Sequence, residues 1–92
     1  MFAVYPGKGA RYMRHIDNPD GNGRLLTCLY YLNVGWRDGD GGELRLRPAD
    51  GAEVPLPPRG DEAVLFNASV PHDVAPSHAE RWALTMWVHD AQ

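Results

Sequence analysis

Spacing constrains this chain more than composition does. Short runs of β-branched, aromatic and leucine residues recur along its 92 residues, separated by Gly, Pro, Asn and Asp, and no stretch carries a helical period. Eight strands are predicted: Phe2 to Tyr5, Arg11 to His15, Leu25 to Asn33, Glu43 to Arg47, Glu53 to Leu56, Glu62 to Phe66, His72 to Ala75 and Arg81 to His89. Between them, Asn18 to Gly23, Asp38 to Gly42 and Pro57 to Gly60 read as turns, where Gly and Asn supply positive φ and proline stops pairing. Strands of this number and spacing make a sandwich or a barrel. The economical choice is an all-β double-stranded β-helix, a jelly roll of the cupin type.

The length leaves room for one domain over residues 1–92, with a compact and marginally stable core. A formal charge of -3, a pI near 5.7 and the lack of a basic run argue against nucleic acid or a membrane surface as partner. Cys28 is the single cysteine, so no internal disulfide can form; a reducing compartment is expected, cytoplasmic with the nucleus also open. Met1 to Tyr5 lacks the charged start and long apolar stretch of a signal peptide and reads as an opening strand, leaving room for an upstream segment.

Strand alternation sorts the residues by face. In Arg81 to Trp87, period two groups Arg81, Ala83, Thr85 and Trp87 against Trp82, Leu84 and Met86, and the first group resembles a pocket lining. The same rule puts Thr27 and Tyr31 on one side of the third strand, with Cys28 on the other, where an inert buried thiol is expected.

Within this frame His15-Ile16-Asp17 acquires a chemical meaning. Residues i and i+2 of a strand point to one side, so an imidazole and a carboxylate there can converge on one ion. A lone HxD is most often a pair of surface residues. A second imidazole must come from a distant strand that folds back across the sandwich, and His72, after the apolar run Ala63 to Phe66, is placed to supply it. His78, among Pro76, Ser77, Ala79 and Glu80, reads as a loop histidine, and His89 lies at the C-terminal end. Two imidazoles and a carboxylate are the set that holds non-haem Fe(II) and leaves positions open for substrate and oxygen. Arg81, nine residues after His72, can grip a co-substrate carboxylate with its planar fork. Together these residues point to a 2-oxoglutarate-dependent oxygenase.

Several longer runs carry a family resemblance. Tyr5-Pro6-Gly7-Lys8-Gly9, Arg14-His15-Ile16-Asp17-Asn18-Pro19-Asp20-Gly21-Asn22-Gly23-Arg24, Thr27-Cys28-Leu29-Tyr30-Tyr31-Leu32-Asn33 and Pro71-His72-Asp73-Val74 resemble the catalytic domain of hypoxia-inducible-factor prolyl hydroxylases and of Skp1-type prolyl 4-hydroxylases. Gly41-Gly42-Glu43-Leu44-Arg45 and Arg81 to Trp87 extend the resemblance from about Tyr5 to Trp87. It implies that His15, Asp17 and His72 bind iron, and that Arg81 and Tyr31 meet the distal carboxylate of 2-oxoglutarate. Tyr5 would approach its chelating end, and Leu44 and Thr85 would line its pocket. Arg24, Tyr12 and Trp87 would dock a proline-containing protein or peptide substrate.

The activity so implied is peptidyl-proline 4-dioxygenation with O2 and 2-oxoglutarate, giving succinate, CO2 and 4-hydroxyproline, with ascorbate keeping the iron reduced. The family's flanking helices have no counterpart here, so the chain is expected to be the core of a larger catalytic domain with one apolar sheet face exposed. Two alternatives are an oxygenase acting on another side chain or a small molecule, and a non-catalytic jelly-roll binding module.

Overall fold

The computed structural model describes residues 1–17 and 23–90, so most of the predicted Asn18 to Gly23 turn lies outside the described residues. All eight predicted strands are present: β1 Phe2–Tyr5, β2 Ala10–His15, β3 Arg24–Tyr31, β4 Leu44–Leu46, β5 Val54–Leu56, β6 Ala63–Asn67, β7 His72–Ser77 and β8 Arg81–His89. The described residues hold one short 3-10 turn, Asp38–Asp40, and no helix long and apolar enough to cross a membrane.

Most strand ends fall within one residue of expectation, and the two that differ by two residues do so for identifiable reasons. β3 stops at Tyr31 because the Asn33 side chain replaces the ladder: its carbonyl oxygen accepts from Trp82 N–H at 2.7 Å and its amide donates to Pro58 O at 2.8 Å. β7 continues through Pro76 to Ser77. Proline forfeits a donor there, yet its carbonyl still accepts from Gly42 N–H at 3.0 Å.

The strands form two four-stranded sheets, ordered β1-β8-β3-β6 and β2-β7-β4-β5. Every pairing in both is antiparallel, which lets one face be apolar and packed while the other meets solvent. In the first sheet, register sets Thr27 between Phe66 and Trp87, Leu29 between Val64 and Thr85, Tyr31 beside Ala83, and Tyr5 beside Arg81. These rows form the inward face that period two predicts. In the second sheet Tyr12, Val74, Leu44 and Leu56 make one row, and His15, His72 and Leu46 the next.

Tyr31, Leu44 and Ala68 are fully buried between the sheets, with Phe66, Val74, Ala75 and Ala83 nearly so. By contrast, the outer face of the first sheet carries exposed Phe2, Val4, Leu26, Leu65, Trp82, Met86 and Val88, matching the apolar face expected from the sequence. Cys28 lies on that outer face beside Met86 and Leu65 and is half-buried, not buried as expected. On the outer face of the second sheet Arg45 Nε donates to Asp73 Oδ1 at 2.6 Å, with Arg47 and Glu53 completing a charge cluster. Burial would raise the Asp73 carboxyl, but the Arg45 hydrogen bond and the charges of Arg45 and Arg47 outweigh it and hold that carboxyl below its ordinary value.

Candidate metal centre and co-substrate cavity

His15 and His72 are directly opposed residues of antiparallel β2 and β7, so their side chains leave the same face of one sheet. The second imidazole therefore comes from the neighbouring strand of the same sheet; it does not cross the sandwich, as the sequence reading had it. Their ring centroids stand 4.2 Å apart. Each ring is anchored identically: His15 Nδ1 lies 2.9 Å from Met13 O, and His72 Nδ1 lies 2.9 Å from Val70 O. A carbonyl can only accept, so both Nδ1 atoms carry the proton, and in the neutral rings both Nε2 lone pairs remain for a metal. Tyr12 braces the His15 ring at 4.5 Å and Phe66 the His72 ring at 4.8 Å. Burial lowers the His72 pKa, against the opposing pull of the Val70 carbonyl and Asp17, and so favours the neutral, ligating form.

Asp17 follows the end of β2, beyond the strand ladder. Its N–H donates to Ala68 O at 2.9 Å, which ties this segment to the loop after β6. Asp17 Oδ1 is 3.3 Å from His15 Nε2, Oδ2 is 3.5 Å from His72 Nε2, and one ligand atom from each residue lies within 4.8 Å of the others. Two donors about 2.1 Å from one ion and at right angles to each other stand about 3 Å apart, so the cluster fits a first-row divalent cation with little adjustment. The Thr27 hydroxyl, from the facing sheet, donates to Asp17 Oδ2 at 2.6 Å.

A cavity of about 730 Å³ opens between the sheets and is lined by all three of these residues. Of the other predicted site residues, Tyr5, Tyr12, Arg24, Leu44, Arg81, Thr85 and Trp87 also line it. Tyr31 stands behind this lining, fully buried, and is reached through Arg81. His78 and His89 are exposed and belong to no metal-binding group among the described residues.

Arg81 supplies the cavity's positive charge. It is 2% exposed, its Nε donates to Gly42 O at 2.8 Å and one Nη donates to the Tyr31 hydroxyl at 3.3 Å. The guanidinium sits 5.2 Å from the Tyr5 ring and 5.1 Å from the Tyr31 ring, a cation between two aromatic faces. Burial raises the pKa of both tyrosines, with Arg81 opposing, so both remain neutral hydroxyls. Gly42, at φ 68°, makes the anchor possible: a Cβ there would lie 3.0 Å from Trp36 and 3.2 Å from the Arg81 side chain. No carboxylate among the described residues forms an ion pair with Arg81. A buried guanidinium without a counter-charge is costly unless an anionic ligand completes it.

At the other end of the cavity Arg24 stacks over Trp87, its Cζ 3.8 Å from the ring centroid. The Trp87 indole N–H is buried and has no hydrogen-bond partner among the described residues, a donor that a ligand carbonyl would satisfy. The sequence had singled out neither the Gly42 carbonyl nor the bond from Thr27 to Asp17. Thr27 was legible only as an inward-facing polar residue of its strand.

Comparison with known proteins agrees with this geometry. The family model described as 2OG-Fe(II) oxygenase superfamily matches residues 1–89. The chain is 44% identical over 95 residues to Egl nine homolog 1 of Rattus norvegicus, covering 99% of this chain and 28% of that protein. It superimposes with a TM-score of 0.92 on a Trichoplax adhaerens prolyl hydroxylase solved in complex with a hypoxia inducible factor oxygen degradation domain peptide fragment, at 44% identity over 97% of this chain and 42% of that one. A Pseudomonas putida prolyl-4-hydroxylase gives the same TM-score at 42% identity, over 99% of this chain and 51% of that one. The chain thus spans about a quarter to a half of the length of these relatives.

Proposed function

We propose that this chain, which belongs to the 2OG-Fe(II) oxygenase superfamily, is the catalytic core of a peptidyl-proline 4-hydroxylase that uses Fe(II) and 2-oxoglutarate. The observation that carries the reading is Arg81, a buried guanidinium with no ion-pair partner among the described residues, in the cavity that holds the His15, Asp17 and His72 cluster. Its fork is the natural receiver of a dicarboxylate whose other end lies at a metal.

Each residue has a role under this reading. His15, Asp17 and His72 hold the iron through two Nε2 atoms and a carboxylate oxygen. Arg81, held by Gly42 and backed by the Tyr31 hydroxyl, fixes the distal carboxylate, and that grip orients the co-substrate before reaction. Tyr5, close enough for its hydroxyl to feel both Arg81 and Tyr12, borders the co-substrate from the first sheet. Leu44 and Thr85 wall the same space from opposite sheets and exclude water. Iron, 2-oxoglutarate and O2 together supply oxidative decarboxylation to succinate and CO2 and transfer of an oxygen atom to a prolyl C4, with ascorbate as the reductant that keeps the metal ferrous. Arg24, Trp87 and Tyr12 border the cavity beside the metal cluster and dock an extended peptide, the free Trp87 N–H serving as donor to a backbone carbonyl. The peptide bound by the Trichoplax relative indicates the substrate class.

The test is succinate release and a gain of one oxygen atom, followed by mass spectrometry, when the protein meets Fe(II), 2-oxoglutarate, ascorbate and a proline peptide. His72→Ala should abolish both signals and His78→Ala should leave both intact. Equal activity in the two variants would remove His72 from the centre and sink the assignment.

A further inference from the structure

We infer that Thr27 is a positioning residue of the metal centre: its hydroxyl orients the Asp17 carboxylate and thereby sets the affinity for a divalent cation. This inference rests on the metal-centre reading above. Thr27 is 1% exposed and lies on the inward face of β3, between Phe66 and Trp87 in register. Its hydroxyl donates to Asp17 Oδ2 at 2.6 Å, the short distance of a hydrogen bond to a charged acceptor.

Strand formation does not demand that hydroxyl. Valine has the same branched shape and a comparable strand preference, and a buried hydroxyl costs free energy unless it is bonded. What needs the bond is Asp17. The two imidazoles are held in place by carbonyls two residues earlier in their own chain segments, and both stand on one sheet. Asp17 has left the β2 ladder, and its carboxylate faces one imidazole with each oxygen, at 3.3 and 3.5 Å. Thr27 reaches it from the other sheet and engages Oδ2, which fixes the rotation of the carboxylate about its own axis and joins the two sheets at the centre. Hydrogen-bond partners of metal ligands typically alter metal affinity about 10- to 100-fold when removed.

The experiment is a Mn(II) titration of the full chain, read from the electron paramagnetic resonance signal of the free ion, with thermal unfolding of the metal-free protein alongside. Thr27→Val should raise the Mn(II) dissociation constant about 10- to 100-fold, while the metal-free protein still unfolds cooperatively, at a lowered midpoint because the bond to Asp17 across the sheets is lost. Thr27→Ser, which restores the hydroxyl and drops only the methyl, should return the constant to near the wild-type value. If wild type and Thr27→Val bind Mn(II) equally, the role of Thr27 falls while the metal centre stands. A wild-type chain that takes up no Mn(II) overturns the metal centre and this inference together. Should Thr27→Val fail to fold, Thr27→Ala, which also removes the hydroxyl, decides: a loss of about tenfold or more in Mn(II) affinity supports the hydroxyl's role, and wild-type affinity overturns it.

Discussion

Replacing Arg81 with lysine keeps the charge and removes the fork. The guanidinium now spends its Nε on the Gly42 carbonyl and one Nη on the Tyr31 hydroxyl, and its remaining N–H groups are available to a carboxylate. A lysine ammonium in this 2% exposed position cannot hold the Gly42 carbonyl, the tyrosine and a ligand in one plane. At least one charge-assisted hydrogen bond to the ligand is lost, worth about 1.5–3 kcal/mol. At about 1.4 kcal/mol per factor of ten, 2-oxoglutarate affinity should fall about 10- to 150-fold. Calorimetry of 2-oxoglutarate against the Mn(II)-loaded protein measures this directly, and a parallel Mn(II) titration should be unchanged because the hydrogen bonds of Arg81 go to Gly42 and Tyr31 and not to the proposed metal ligands. Tight 2-oxoglutarate binding by Arg81→Lys would refute the view that the arginine is the anion receptor. A loss of Mn(II) binding in the same variant would show that the substitution acts by disturbing the fold.

Further outcomes follow from the neighbours of Arg81. Gly42→Ala should weaken 2-oxoglutarate binding by the same calorimetric measure while leaving Mn(II) affinity intact, because a Cβ at φ 68° presses on Trp36 and on the arginine side chain that Gly42 anchors. It should also cost about 1–3 kcal/mol of stability in chemical denaturation, from backbone strain at positive φ. Tyr31 should titrate above its ordinary range, since burial raises its pKa despite the opposing Arg81. The folded state then holds a proton that the unfolded chain releases above about pH 10, so this tyrosine contributes stability that declines as pH rises from about 10 through the folded value. Tyr31→Phe should flatten that alkaline loss in thermal unfolding measured across pH 9 to about 11.5; an unchanged alkaline slope would place the pH dependence elsewhere.

Much of the fold was legible because its signals are local. Period-two alternation depends only on where successive side chains point along one strand, so it identified the inward residues Thr27, Tyr31, Arg81, Ala83 and Thr85, all of which are buried. Glycine and proline punctuation located the ends to within two residues, and both larger discrepancies arise from long-range partners: Asn33 with Pro58 and Trp82, and Pro76 with Gly42. Cys28 was misjudged because alternation separates two faces but does not say which is covered. Thr27 went unassigned for a related reason. A threonine in a strand looks the same to sequence pattern whether its hydroxyl faces water or a carboxylate.

The chain's amino-acid order alone therefore determined the eight strands, their two faces, and the residue types able to hold a metal and an anion. Those properties depend on torsion preferences and side-chain direction over a few residues. Tertiary structure alone decided register and distance: His72 opposite His15, the Tyr31 hydroxyl beside an arginine 50 residues later, and Thr27 bonded to Asp17 across the sandwich. Such pairings connect segments far apart in sequence. They exist only once two sheets have packed and excluded the water that would otherwise solvate each polar group separately.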